Sequence, residues 1–249
     1  MTAAPYEILR FGGERLRVGP WRGDHEVAYL APLADAEPLS RAAASRCAET
    51  LRARGYRSVV TSALARSETN GLLEAGFSVH ECLHLLAHDM VGLPAPPAPP
   101  DRMTVRRARR AERAAVLDVD HAAFSRFWQL DEHGLEEALT ATPVSRFRVA
   151  SSRGERPSRI FGYTVFGRAG PRGYLQRLAV HPSAAGRGLG RCLVLDGLSW
   201  LERRSVRQTL VNTQESNETA LALYQRLGFV LQAEGLVVLR RALHPAAEP

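Results

Sequence analysis

Lysine is absent from the 249 residues, so all 33 basic side chains behind the net charge of +7 are arginine. A P-loop closes on Gly-Lys-Ser/Thr, and that class of nucleotide site is therefore excluded. Cysteine is scarce. Cys47, Cys82 and Cys192 are far apart and odd in number, which suits a reducing compartment and offers no metal-ligand cluster, so the expected location is cytoplasmic and no metal is expected. Long apolar runs are missing too. Nothing approaches the roughly 20 residues of a membrane span, and Glu7, Arg10, Glu14 and Arg15 interrupt any signal-peptide core. No membrane partner is expected. Basic charge attracts nucleic acid, but these arginines are spread along the chain. The densest run, Arg106-Arg107-Ala108-Arg109-Arg110, is short and has no interleaved aromatics, which argues against a nucleic-acid partner.

What is present is a glycine-rich turn between an apolar run and a helical pattern, Val180-His181-Pro182-Ser183-Ala184-Ala185-Gly186-Arg187-Gly188-Leu189-Gly190-Arg191. Amides at a helix start have no partner within the helix, and with the helix dipole behind them they form a site for phosphate. A dinucleotide fingerprint would need Gly-x-Gly-x-x-Gly and an acidic residue closing the next strand. Here Gly186, Gly188 and Gly190 alternate, and the strand expected near Gln208–Thr213 ends in neutral residues, with Glu215 just beyond it.

A second segment follows at a fixed distance, Asn217-Glu218-Thr219-Ala220-Leu221-Ala222-Leu223-Tyr224-Gln225-Arg226-Leu227-Gly228-Phe229. Together with Leu178-Ala179-Val180-His181-Pro182 and the glycine turn, it resembles the GNAT superfamily of N-acetyltransferases, whose second motif reads Asn-x-x-Ala-x-x-x-Tyr-x-x-x-Gly-Phe. The resemblance covers about Asp101 to Leu243. It implies acetyl-coenzyme A as cosubstrate, a pyrophosphate loop at Gly186, Arg187, Gly188, Leu189, Gly190 and Arg191, and pantetheine along Leu178, Ala179 and Val180. The first position of the family loop, usually Arg or Gln, falls on Ala185; Arg187 and Arg191 supply charge in its place.

The run Pro94-Ala95-Pro96-Pro97-Ala98-Pro99-Pro100 cannot join a helix or a sheet ladder. It suggests domains at 1–93 and 101–243 with a linker at 94–100. The C-terminal part alternates helical and strand patterns: strands at 103–107, 147–150, 160–166, 174–180, 209–212 and 235–240, and helices at 109–127, 134–140, 189–203 and 218–227. The expected class is α/β (α+β), a mixed, mostly antiparallel central sheet flanked by helices. Ala28–Leu33, Leu39–Arg54, Ser58–Ser62, Leu64–Ala75, Gly76-Phe77 and Val79–Leu86 repeat the order of the later half. This reads either as a truncated, degenerate second copy, a tandem layout similar to that of mycothiol synthases, or as an unrelated small domain. The turn Ala34-Asp35-Ala36-Glu37-Pro38 lacks glycine and carries two carboxylates, and Leu72 and Ala65 stand where the later half has Tyr224 and Asn217, so no acetyl-coenzyme A is expected there.

The resemblance makes Tyr224 the candidate general acid for a departing thiolate; its spacing alone equally fits a core aromatic. Asn217 suits a helix cap or a pantetheine contact. The acceptor is expected to be a primary amine of a small molecule or a protein N-terminus. The strand Tyr174–Leu178 has no carboxylate, so the base stays open among Asp131, Glu132, His133, His181 and a water relay. Phe124, Phe127 and Trp128 are candidates for a cleft wall. A non-catalytic acyl-coenzyme A sensor is the alternative.

Overall fold

Apolar side chains at every second position build the first three strands, Glu7–Phe11, Glu14–Trp21 and Asp24–Pro32. Leu16, Val18, Ala28 and Leu30 all point to one face and are fully buried. The computed structural model describes residues 6–33, 39–100, 102–155 and 158–244. The turn Ala34–Pro38, on which the sequence places two carboxylates, lies outside the described residues.

The chain forms two compact units, and the first takes its last segment from the far end of the sequence. One comprises 1–85, 213–216 and 232–249; the other comprises 86–212 and 217–231. By sequence, a linker is expected at the proline run. Residues 94–100 have no regular secondary structure, yet they belong to the second unit. There the Pro97 carbonyl accepts from Cys192 Sγ at 3.4 Å and Leu93 packs against the core.

In the first unit the three strands form an antiparallel meander, closed at its second turn by Arg22-Gly23, both at positive φ. Helix Arg41–Ala53 then crosses to Ser58–Thr61, which is parallel to Asp24–Pro32. Ser40 caps this helix by accepting from Ala43 N–H, and the helix buries Ala43, Ala44, Cys47, Ala48 and Leu51, a single stripe at helical spacing. The next segment is less helical than its pattern suggests. Leu64–Ala65 is a bridge, Arg66–Glu68 a 3₁₀ turn, and only Asn70–Glu74 is α-helix.

The chief departure is the last strand. Leu236–Ala242 was expected to close the C-terminal sheet; it lies instead in the first unit, antiparallel to both Ser58–Thr61 and Ser78–His88. Its Val237 and Leu239 enter the core with Leu16, Ala44 and Leu51. Alternation identifies a strand, but it does not say which edge the strand will fill.

The second unit has Met103–Arg107, Val144–Ser152, Ile160–Ala169 and Arg172–Val180 antiparallel in chain order, followed by Gln208–Gln214 parallel to the last of them. Tyr163 and Val165 face helices Arg113–Ala123 and Glu132–Thr140, while Phe166 and Leu175 face helix Leu189–Glu202. The unit is thus a mostly antiparallel sheet covered by helices on both faces. The helix expected over 109–127 is shorter. A 3₁₀ turn at Arg110–Glu112 precedes it, and its buried stripe is Val116, Leu117, Val119 and Asp120. The hairpin of the first two strands and the short strand Val230–Leu231 had no counterpart in the sequence reading.

Both halves contain a helix closed by Gly-Phe. Phe229 N–H donates to the Tyr224 carbonyl and Gly228 N–H to Gln225; Phe77 N–H donates to Leu72 and Gly76 N–H to Leu73. With Gly228 at φ 89° and Gly76 at φ 83°, these are two copies of one Schellman stop. Leu72 therefore occupies the helix position that Tyr224 holds in the second unit.

Candidate active site

Strand Arg172–Val180 has one edge paired and one largely open. Successive residues in an antiparallel pair direct their backbone groups alternately to the two sides. His181 N–H donates to the Phe161 carbonyl at 2.8 Å, and the register sets Ala179 opposite Tyr163 and Val180 opposite Gly162. The Ala179 amide therefore faces the neighbouring strand, whereas those of Leu178 and Val180 face the other edge. On that edge Gln208–Gln214 pairs only over Arg172–Tyr174. Beyond Tyr174 the ladder stops, with a bulge between Leu175 and Arg177 on the paired side. An extended ligand bearing amides can pair there as an added strand does. Ala179, also a candidate, is spent within the sheet and is 2% exposed.

The strand runs into the glycine turn. Pro182–Ala184 forms a 3₁₀ turn capped by His181, whose Nδ1 accepts from Ser183 N–H at 3.1 Å and lies 2.7 Å from Ser183 Oγ. Gly186 and Gly188 follow at φ 72° and 79°. A Cβ on either would meet no atom within 4 Å; left-handed backbone rather than crowding demands glycine here, and the surface above stays open. The first bond of helix Leu189–Glu202 runs from Cys192 N–H to the Gly188 carbonyl. The amides of Leu189, Gly190 and Arg191 thus precede the ladder and point out of the helix start. Leu189 anchors the turn in the core, while Arg187 and Arg191 are exposed.

Helix Glu218–Arg226 closes the site from another side. Asn217 caps it, accepting from Ala220 N–H at 3.0 Å. A Cβ on Gly190 would stand 3.3 Å from Leu223, so the start of helix Leu189–Glu202 lies against the body of helix Glu218–Arg226. Tyr224 is 5% exposed and packs on Phe229 with ring centroids 5.7 Å apart. No described residue hydrogen-bonds its hydroxyl. Burial raises its pKa above the ordinary phenol value, and the positive charge of Arg177 works against that rise.

Sequence reading missed the charged group whose field reaches this tyrosine. Arg177 donates to the two Asp120 oxygens at 2.8 and 2.9 Å and to the Trp128 carbonyl at 2.7 Å, and it lies 3.6 Å from the Phe124 ring centroid. Asp120 is fully buried and also accepts from Tyr163 Oη and from Leu130 N–H at 2.8 Å. Four donors occupy this carboxylate, so it holds Arg177 in place and has no capacity left for a substrate proton. The available signal was an aspartate on the buried stripe of Val116, Leu117 and Val119. Of the candidate bases, Asp131 is a helix cap accepting from Gly134 N–H at 2.7 Å, Glu132 is exposed, His133 is half-buried, and His181 is a cap. Phe124 lies under Arg177, and Phe127 and Trp128 pack edge to face at 5.0 Å. Among the described residues no group of three or more metal-ligating side chains occurs, and no helix is long and apolar enough to cross a membrane.

The model of the acetyltransferase (GNAT) family matches residues 113–229, from the helix beneath the sheet through the glycine turn to the Gly-Phe stop. Those residues are a GNAT-family domain. Mycothiol acetyltransferase of Acidimicrobium ferrooxidans is 33% identical over 141 residues, 53% of this chain and 44% of that protein. The enzyme of the same name from Tsukamurella paurometabola is 31% identical over 157 residues, 58% of this chain and 54% of that protein. The chain thus spans about half the length of these curated relatives. Among solved structures, a tandem GNAT protein from the clavulanic acid biosynthesis pathway superposes on 96% of this chain and 82% of its own, with TM-score 0.67 and 17% identity. A GCN5-related N-acetyltransferase from Sphaerobacter thermophilus covers 95% of this chain and 79% of its own, with TM-score 0.61 and 18% identity. Coverage this wide extends the GNAT fold beyond residues 113–229, and the layout is tandem.

Proposed function

We propose that the chain is an acetyl-coenzyme A-dependent N-acetyltransferase whose single active site is in the second unit. The observation that carries this reading is the open edge of Arg172–Val180 leading into the glycine turn. Leu178 and Val180 would pair with the pantetheine amides, and the amides from Gly186 to Arg191, with Arg187 and Arg191, would hold the pyrophosphate. Asn217 would contact pantetheine as well as cap its helix. A neutral primary amine attacks the thioester carbonyl carbon, a C–N bond forms, the C–S bond breaks, and the amine proton leaves to water. The thiolate takes its proton from the Tyr224 hydroxyl, which burial keeps protonated and the Arg177 charge makes less costly to ionise. The acceptor belongs to a small molecule or a protein N-terminus, and three free cysteines support the reading of a reducing compartment such as the cytoplasm. The first unit, with Leu72 in the position of the tyrosine, binds no cofactor and has a structural role.

The test is a screen of amines with a free-thiol readout. It begins with the unacetylated form of mycothiol, read by the mass of the acetylated product because that molecule bears its own thiol, since the matched relatives bear the name mycothiol acetyltransferase. Tyr224→Phe is expected to keep acetyl-coenzyme A binding and to slow transfer by roughly 10²-fold; unchanged turnover removes Tyr224 from the mechanism. A second reading rests on the lack of a carboxylate along Tyr174–Leu178 and the saturation of Asp120: a non-catalytic acyl-coenzyme A sensor. Tight cofactor binding with no thiol released by any amine would select it.

A further inference from the structure

At the other end of helix Leu189–Glu202 lies a cavity of about 690 Å³, within the size range of small-molecule sites. Trp200 lines it, eleven residues after Leu189 and therefore about 16 Å along the helix axis from the glycine turn. Six arginines line it against one carboxylate, Glu136. That carboxylate is paired with Arg113 at 2.5 Å. Arg146 is locked by Asp196 through two hydrogen bonds at 3.0 Å, and Arg148 reaches the same aspartate at 3.4 Å and the Val105 carbonyl at 3.1 Å. One carboxylate thus serves two half-buried guanidinium groups, which leaves a fixed positive charge. Arg107, Arg109 and Arg110 are exposed, and no ion pair engages them among the described residues. They are the run that sequence reading found too short and too poor in aromatics for nucleic acid. The fold supplies the missing rings: Trp200 and Phe147 both line the cavity, with the Arg146 guanidinium 5.9 Å from the Trp200 centroid.

We propose that this cavity is a second ligand site, separate from the acetyl-transfer site, that binds a small polyanion carrying two or more phosphate or carboxylate groups. Guanidinium groups match both anions in bidentate geometry. Arg146 and Arg148 are held rigid by Asp196 and provide a preformed floor, while Arg107, Arg109 and Arg110 are free to close on the ligand from the rim. A concave site of this volume suits a compact anion rather than an extended strand, which needs a long groove with successive stacking platforms.

The experiment is calorimetric titration of the full chain with inorganic tripolyphosphate and, separately, with citrate, in roughly 0.1 M salt. Saturable binding is expected, and one site of it should persist when the glycine turn is filled by saturating coenzyme A. Replacing Arg107, Arg109 and Arg110 together by alanine should weaken it at least about tenfold, and Arg110→Glu alone should weaken it in the same direction with circular dichroism unchanged. Gly188→Glu should leave it intact. Binding of tripolyphosphate alone identifies a phosphorylated ligand, and binding of citrate alone a polycarboxylate. The proposal is overturned if neither anion binds below about 1 mM, or if Gly188→Glu abolishes binding while the arginine variants retain it, since the anion then sits in the glycine turn. Tighter, length-dependent binding of single-stranded oligonucleotide that displaces tripolyphosphate would overturn it as well.

Discussion

Gly188 and Cys47 show how much one position can carry. Gly188 is held at φ 79° with open space above it. Gly188→Glu adds a backbone cost of roughly 1–2 kcal/mol and puts a carboxylate where phosphate is proposed to sit. Calorimetry is expected to show acetyl-coenzyme A binding lost while the fold persists, and normal affinity would remove the turn from the reading. Cys47 sits in the core of the first unit, where burial raises its thiol pKa to about 12 from 9.0. The unfolded chain releases this proton near pH 9 and the folded one does not. Above pH 9 the unfolded state binds fewer protons, so stability falls as pH rises, by about 1.4 kcal/mol per unit. Urea titrations at pH 8 and pH 10 should show that loss in the parent and a smaller one in Cys47→Ala. Short-range roles of this kind were legible. The Asn217 cap and the Gly228 stop follow from spacing within one helix. The pairing of Asp120 with Arg177, 57 positions apart, was not, because no local pattern reports which buried charges meet.

Helix boundaries depended on side chains that reach across a turn. The stretch from Arg109 onward has helical spacing, yet the α-helix begins only at Arg113. Glu112 turns back to accept from Arg109 N–H at 2.8 Å and holds Arg106 at 2.6 and 2.9 Å, stabilising a 3₁₀ turn ahead of the helix. The hydrogen bonds from Arg106 are the main reason the Glu112 carboxyl is held below its ordinary value. A depressed carboxylate pKa contributes stability that is present above the unfolded value and lost as pH falls through the folded one. Glu112→Gln is therefore expected to cost about 1–3 kcal/mol at pH 7 and to flatten the loss of stability below about pH 5. Equal acid sensitivity in parent and variant, read by thermal melts from pH 7 to pH 3, would show that this pair does not govern it. The hairpin of Glu7–Phe11 and Glu14–Trp21 escaped sequence reading because Leu9, Phe11, Leu16 and Val18 are interleaved with charged residues and a Gly-Gly turn, a weak signal over strands this short.

Division of the chain at its proline run would cut both units. Residues 1–93 lack Leu236–Ala242 and the Leu243 that follows it, and Val237, Leu239 and Leu243 complete the first core; 101–243 lack Leu86 and Met90, which belong to the second. A fragment of residues 1–93 is expected to show no cooperative unfolding transition, and a chain ending at residue 231 to lose that of the first unit alone. A sharp melt from 1–93 would mean that its own strands suffice. The fold class, the order of the main elements after the first hairpin, the glycine turn and the Asn–Tyr–Gly-Phe segment could all be read from the chain, because each is a local pattern of period 2, period 3.6 or positive φ. Tertiary structure alone decided which unit receives the last strand, that Asp120 fixes Arg177, and that arginines from separate elements line one cavity. Edge pairing and buried charge pairing are chosen by burial against residues distant in sequence, and such choices leave no trace in the spacing of the residues that make them.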